Sequence, residues 1–137
     1  LKRKKTDSNV FAIIGDGECN EGSVWEVALS APKFKLNNFT VILDRNNFQQ
    51  TGSSDAILNL NKLSDKWKSF NWETIEIDGH NFDQIRDAFS RKSEKPKLIL
   101  ANTIKGKGFS FSENNNDWHH KILTKNQYDE ALKELLG

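Results

Sequence analysis

Gly15-Asp16-Gly17 sets one carboxylate between two residues that permit a tight turn and close backbone approach, and Asn46 follows thirty positions on. Each stands where an apolar run gives way to polar sequence: Val10–Ile14 runs into Gly15-Asp16-Gly17, and Thr40–Leu43 into Asp44-Arg45-Asn46-Asn47. One carboxylate, one neutral amide oxygen and a loop carbonyl make a sparse set of hard oxygen ligands. Such a set is too small for a calcium cage, but it suits Mg²⁺ or Ca²⁺ when phosphate oxygens of a bound ligand complete the shell. The scarcity of carboxylates fits too, because more negative charge would repel a phosphate. Alone, a Gly-Asp-Gly tripeptide marks a turn far more often than a metal site, so the assignment depends on the sequence around it.

Four apolar runs read as strands, Val10–Ile14, Thr40–Leu43, Thr74–Ile77 and Leu98–Ala101. The first and last are continuously apolar, the pattern of parallel strands covered on both faces. Helical period fills the intervals: Val24, Trp25, Ala28, Leu29 and Ala31 form a stripe stopped by Pro32; Leu60, Leu63, Trp67 and Phe70 form a second; Phe82, Ile85, Ala88 and Phe89 form a third. Asn81 with Gln84 and Thr124 with Gln127 read as capping boxes, with Leu123 and Tyr128 as a staple and Gly137 as the last helix stop. Strands alternating with helices imply right-handed crossovers and a doubly wound parallel α/β sheet. The other two strands exit into Asp78-Gly79-His80 and into Asn102-Thr103 followed by Lys105-Gly106-Lys107-Gly108. Ligands of open parallel sheets bind beyond the carboxyl ends of the strands, so the candidate ligand types share one edge.

The 137 residues suit a single domain spanning 1–137. Twenty basic and nineteen acidic residues leave a formal charge of +1, which gives no electrostatic reason for a nucleic acid or membrane partner. The local run Lys2-Arg3-Lys4-Lys5 reads as a solvated helix end. Cys19 stands alone, so no disulfide framework exists, and a reducing cytoplasm is the expected compartment. No apolar run nears the roughly 20 residues that span a bilayer, and no signal-peptide pattern is seen. The chain has no methionine and begins at Leu1, which reads as a fragment trimmed at its N-terminus.

The run Gly15-Asp16-Gly17-Glu18-Cys19-Asn20-Glu21-Gly22-Ser23-Val24-Trp25-Glu26, followed by Lys35-Leu36-Asn37-Asn38 and Val41-Ile42-Leu43-Asp44-Arg45-Asn46-Asn47, resembles the thiamine diphosphate motif of transketolases. It is most similar to the separate N-terminal subunit of split bacterial transketolases. The resemblance continues through Trp72-Glu73, Asp78-Gly79-His80, Pro96, Thr103-Ile104-Lys105-Gly106-Lys107-Gly108 and Trp118-His119, and so covers nearly the whole chain in order. It implies the diphosphate-binding domain of the thiamine diphosphate fold. It assigns the side chains of Asp16 and Asn46 and the backbone carbonyl of Phe48 to Mg²⁺ or Ca²⁺. Gly15, Gly17 and Glu18 are placed where backbone approaches the diphosphate. Glu21 and Glu26 match acidic residues at a subunit interface near the cofactor, against the plainer reading of charges complementing a helix dipole. His119 matches a histidine for proton transfer or for holding the diphosphate, and Lys105 a basic residue at the cofactor entrance. His80 is read as serving a turn, and His120 receives no role.

The resemblance also implies a cytoplasmic, oligomeric transferase of the pentose phosphate pathway, a dimer of like or unlike subunits, moving a two-carbon ketol unit between sugar phosphates. Thiamine chemistry further needs a carboxylate that drives a proton relay through the aminopyrimidine. In the family that carboxylate belongs to a separate pyrimidine-binding domain or subunit, which nothing in this chain resembles. The family's preceding part, with its extra histidines and glycine-rich loop, is also absent. The chain is therefore expected to be inactive alone and to expose apolar surface. Three rivals stand beside this reading. A nicotinamide-binding Rossmann domain would need glycine where Asn20 stands. Dihydroxyacetone synthase, deoxyxylulose-phosphate synthase and sugar-modifying relatives share the motif, although Glu21-Gly22-Ser23-Val24-Trp25-Glu26 favours transketolases. A non-catalytic interaction module of the same fold is the third.

Overall fold

All four apolar runs form strands in the computed structural model, which describes residues 7–136. The basic run at 2–5 and the stop at Gly137 lie outside the described residues. The strands are β1 (Val10–Gly15), β2 (Phe39–Arg45), β5 (Glu73–Asp78) and β6 (Lys97–Asn102), and all pair in parallel in the order β1-β2-β6-β5. Between β2 and β5 lie a small antiparallel hairpin, β3 (Phe48–Gln49) and β4 (Gly52–Ser53), then helices α2 (Ser54–Leu58) and α3 (Leu63–Ser69). Helix α1 (Gly22–Lys33) joins β1 to β2, α4 (Phe82–Ser90) joins β5 to β6, and α5 (Lys125–Leu136) ends the chain.

The strand order explains why two faces are built. The chain steps outward from β1 to β2 and past β6 to β5, then turns back, so right-handed crossovers put α4 opposite α1 and α3. Side-chain alternation agrees. Val41, Leu43, Leu98 and Leu100 join Ala28 and Ala31 of α1 and Leu63 and Trp67 of α3. Ile42, Ile77, Ile99 and Ala101 join Ile85 and Ala88 of α4. This is the doubly wound sheet expected, and β6 is buried from Lys97 to Ala101. The equally apolar β1 is not covered twice, however: it is an edge strand, with Phe11 55% and Ile13 76% exposed.

Tryptophans consolidate the α1–α3 face. Trp67 meets Trp72 edge-on at 4.7 Å and Trp25 at 5.8 Å. Trp72 also answers a local problem. Pro32 was expected to stop α1 but sits inside its last turn, where its missing N–H leaves the Ala28 carbonyl without a helical donor. The buried Trp72 indole donates to that carbonyl at 2.8 Å. On the other face, buried Lys97 donates to the carbonyls of Ala88, Phe89 and Arg91 at 2.8, 3.3 and 2.9 Å, closing the C-terminus of α4.

Caps follow the sequence with one change. Thr124 and Gln127 exchange bonds as a capping box should. Asn81 accepts from Asp83 and Gln84, but the Gln84 carbonyl accepts from the Asp78 amide instead, tying α4 to the end of β5. Leu60 lies ahead of α3 rather than on it.

Candidate functional site

In-step register brings the strand exits to one level: Gly15 lies beside Asp44, and Asn102 lies between Arg45 and Asp78. Beyond β1, the Asp16 amide still donates to the Asp44 carbonyl at 3.2 Å, after which the chain tightens into a 3-10 turn over Gly17–Asn20. Asp16 is thereby fixed at 4% exposure, and one carboxylate oxygen accepts from the Asn47 amide at 2.7 Å. Asn47 adopts φ 64°, a left-handed conformation that asparagine tolerates better than most residues. That kink turns its N–H back toward Asp16.

Asn46 is oriented by its neighbours. Its NH₂ donates to Asp44 at 3.3 Å and its side-chain oxygen accepts from the Phe48 amide at 3.0 Å. An amide oxygen has two lone pairs, so one remains for a cation. Phe48 opens the β3–β4 hairpin, paired with Ser53. Gly17 is glycine for a visible reason, since a Cβ there would come within 3.0 Å of the Gln49 side chain. The Gly15 amide is taken up by the Glu18 carboxylate at 2.7 Å. Glu21 is the exposed N-cap of α1 and makes no side-chain bond to the first turn. No acidic residue occupies that first turn, so the helix-dipole reading of Glu21 and Glu26 has no capping bond behind it.

Lys105 and His119 meet across the β6 exit, with Lys105 Nζ 3.5 Å from His119 Nδ1. His119 ends a 3-10 turn, Asn116–His119, which Asn115 caps by accepting from the Asp117 amide at 3.0 Å. Trp118 anchors the turn by donating to the Phe111 carbonyl at 3.0 Å and packing on the Phe111 ring at 5.0 Å. Asn116 donates to the Gln50 carbonyl at 3.3 Å, linking the His119 turn to the Phe48 hairpin. Thr103 donates its hydroxyl to Asp44, so the β6 exit is joined to the β2 exit as well. Partial desolvation, then the Lys105 ammonium and the His120 ring, hold His119 below the usual imidazole range. That direction favours the neutral ring over the imidazolium.

A cleft of about 610 Å³ opens on this edge, lined by the polar Asp44, Asn46, Thr103 and Lys105 together with apolar residues such as Ile42, Ile85 and Ile99. Asp16 borders a separate, much smaller hollow with Arg45, Asn47 and Ser54. The structure thus brings Asn46 and Lys105 to one cleft and couples Asp16 to them through Asn47. Glu21 lines neither hollow. The links through Asn47, Thr103, Asn116 and His80 were not found in the sequence. Their only signals were a repeated asparagine after β2 and polar residues at the other exits.

The donor set fits a bound cation. Burial raises the Asp16 carboxyl above its ordinary value, the nearby Ser54 hydroxyl and the Asn47 and Gly17 amides oppose the rise, and Asp44 adds to it. Among the described residues no cationic side chain forms an ion pair with Asp16. A buried carboxylate without a counter-ion is costly, and a metal would relieve it. No cluster of three His, Cys, Asp or Glu exists among the described residues, so such a metal would draw its other ligands from amide, carbonyl and phosphate oxygens.

The family described as the transketolase, thiamine diphosphate binding domain, matches residues 2–137. The chain belongs to the transketolase family. This transketolase domain is 36% identical over 137 residues to an apulose-4-phosphate transketolase subunit from Phocaeicola vulgatus, covering 98% of this chain and 49% of that protein. It is 42% identical over 131 residues to a 6-deoxy-6-sulfo-D-fructose transketolase subunit from a Clostridium species, covering 93% of this chain and 48% of the other. Human transketolase is 34% identical over 131 residues, with 96% of this chain and 21% of the human protein covered. Among solved structures, Campylobacter jejuni transketolase superposes with a TM-score of 0.88 at 30% identity, over 93% of this chain and 20% of that one. The chain spans about half the length of the bacterial subunits it matches.

Proposed function

We propose that residues 1–137 form one unit that holds the diphosphate and metal of thiamine diphosphate in a transketolase assembled with a pyrimidine-binding partner. The observation that carries this reading is Asp16, a buried carboxylate with no ion pair among the described residues, tied by the Asn47 amide to the segment in which Asn46 holds an oriented side-chain oxygen. Asp16, Asn46 and the Phe48 carbonyl would hold Mg²⁺, or Ca²⁺ in its place, and Gly17 would admit the diphosphate to the backbone. The cofactor, when bound, supplies the carbon nucleophile and the electron sink for ketol transfer. The chain's own residues place and neutralise charge. His119 turns Nδ1 to the Lys105 ammonium as an acceptor, which leaves Nε2 as the ring atom that carries a proton in the neutral form. Lys105 also lines the cleft, and its ammonium would draw in an anionic sugar phosphate. Glu21, exposed at the head of α1, is free to meet a second polypeptide.

The bacterial relatives are named as transketolase subunits for different sugars. Two-carbon transfer between a ketose phosphate and an aldose phosphate is therefore the shared chemistry proposed here, in a cytoplasmic enzyme of the pentose phosphate type. The test is reconstitution of the chain with its missing remainder, thiamine diphosphate and Mg²⁺. Product sugars two carbons longer than the acceptor, seen by mass spectrometry, are expected. Cofactor binding without any such product would leave the non-catalytic reading in its place.

A further inference from the structure

The turn after β5 contains a contact that the cofactor assignments do not use. Gly79 lies so close to β6 that a Cβ there would fall 2.4 Å from the Thr103 methyl and 3.1 Å from the Asn102 carbonyl oxygen. Its amide donates to that carbonyl at 2.8 Å. Glycine at this position therefore draws the β5 exit against the β6 exit. The next residue, His80, is held by its own amide donating to Asp78 at 2.9 Å, and its Nε2 accepts from the Ile104 amide at 2.8 Å. Because Nε2 accepts, it carries no hydrogen there, and the ring proton is on Nδ1.

Ile104 immediately precedes Lys105. The rest of that loop is closed on itself: Lys105 accepts from the Asn114 amide at 2.9 Å, and the Ser112 hydroxyl donates to Gly106 at 2.9 Å. Gly106 has φ +71°, and a Cβ would lie 2.4 Å from the Ser112 carbonyl oxygen, so the loop is closely packed on itself. His80 is the side chain that ties this unit, at Ile104, to the neighbouring β5 exit.

We infer that His80 is a positioning residue, whose imidazole holds the Ile104 amide and so sets Lys105 against His119. The inference rests on the reading of Lys105 and His119 as site residues, but its geometry stands apart from the chemistry proposed for them. The groups facing His80 are Asp78 on its own turn, Glu113 and Lys107 from the loop, and Asp44 and Lys105 across the cleft. Protonation of Nε2 would remove the acceptor and turn an N–H against the Ile104 N–H, so the contact exists only with the neutral ring.

The experiment compares the full chain with its His80→Leu and His80→Gln variants by NMR. Leucine removes the acceptor, and glutamine restores an oxygen at similar reach. His80→Leu should lower the exchange protection of the Ile104 amide about fivefold, the worth of one net hydrogen bond. It should also shift the His119 titration midpoint upward, because Lys105 no longer stands beside it, while His80→Gln restores both. Unchanged His119 titration and Ile104 protection in His80→Leu would overturn the inference, as would glutamine behaving like leucine. Should the leucine variant fail to fold, the native chain still decides: ring ¹⁵N shifts above the imidazole range must show protonated Nδ1 and bare Nε2, and the opposite tautomer refutes the contact. These readouts need no activity. Loss of the cofactor reading would show instead as a native chain that binds no thiamine diphosphate with its partner present.

Discussion

Replacing Asp16 by Ala and by Asn separates a ligand from a structural residue. In Asp16→Ala, the part-buried Asn47 amide loses the oxygen it meets at 2.7 Å, so the cost lies toward the lower end of that for a buried donor. An unpaired buried donor costs about 1–3 kcal/mol, and for a chain of this size each kcal/mol lowers Tm by about 4 °C. Asp16→Asn keeps an acceptor in place and removes the charge. Burial raises the native carboxyl above 3.8, so its neutral form favours folding. That contribution is complete below the ordinary carboxylate value and is lost as pH rises through the raised native value. At neutral pH, Asp16→Asn should therefore be as stable as the parent or more so, and its stability should be flatter across that window. Both variants remove the only charged protein ligand assigned to the metal. At an effective dielectric near 20 the lost attraction is of order 4 kcal/mol, so Mg²⁺-dependent thiamine diphosphate affinity should fall about 10²- to 10³-fold in the assembled enzyme. Thermal unfolding and calorimetric titration read the two effects separately. Native affinity in Asp16→Asn would refute the metal assignment. A marked loss of its stability at neutral pH would refute the claim that the charge is held at a cost.

Three further outcomes follow from the same structure. Trp72→Phe should destabilise the fold by about 2–4 kcal/mol, because the Ala28 carbonyl freed by Pro32 loses its donor and the Trp67 contact shrinks; a chemical-denaturation midpoint equal to the parent's would contradict this. Cys19 is fully buried and its thiol is pushed up to about 12, so a thiol reagent at mildly alkaline pH should label it only on unfolding, and fast labelling of the native chain would show the turn after Asp16 to be open. His119→Ala should lower turnover of the assembled enzyme about 10²- to 10⁴-fold with an unchanged melting curve, and a parent-like rate would return His119 to the role of a solvated loop residue.

How far the sequence was legible depends on the range of the interaction. The four strands and α1, α3 and α4 follow from local apolar period, and α5 from the four-residue capping box at Thr124. The hairpin of β3 and β4 escaped because its loop residues, Gln50 and Thr51, lack the Asn-Gly chemistry that marks such turns. The uncovered face of β1 was hidden as well. Its apolar run matches that of β6, and only the strand order shows that β1 is an edge. At the candidate site, Asp16, Asn46 and Lys105 were proposed through residue type and family resemblance. The contacts that orient them, Asn47 to Asp16, Thr103 to Asp44, Asn116 to Gln50 and His80 to Ile104, join residues distant in sequence through strand exits. No local pattern encodes such pairs, and they come from the in-step register of the parallel strands.

The most direct test of the central claim is calorimetric titration of the chain with thiamine diphosphate, with and without Mg²⁺, before and after adding the missing half of the enzyme. Binding that requires Mg²⁺ and tightens once the partner is present is the expected result, because the proposal gives this chain only the diphosphate and metal end of the site. Absence of binding with both partner and Mg²⁺ present, or binding indifferent to the metal, would contradict it.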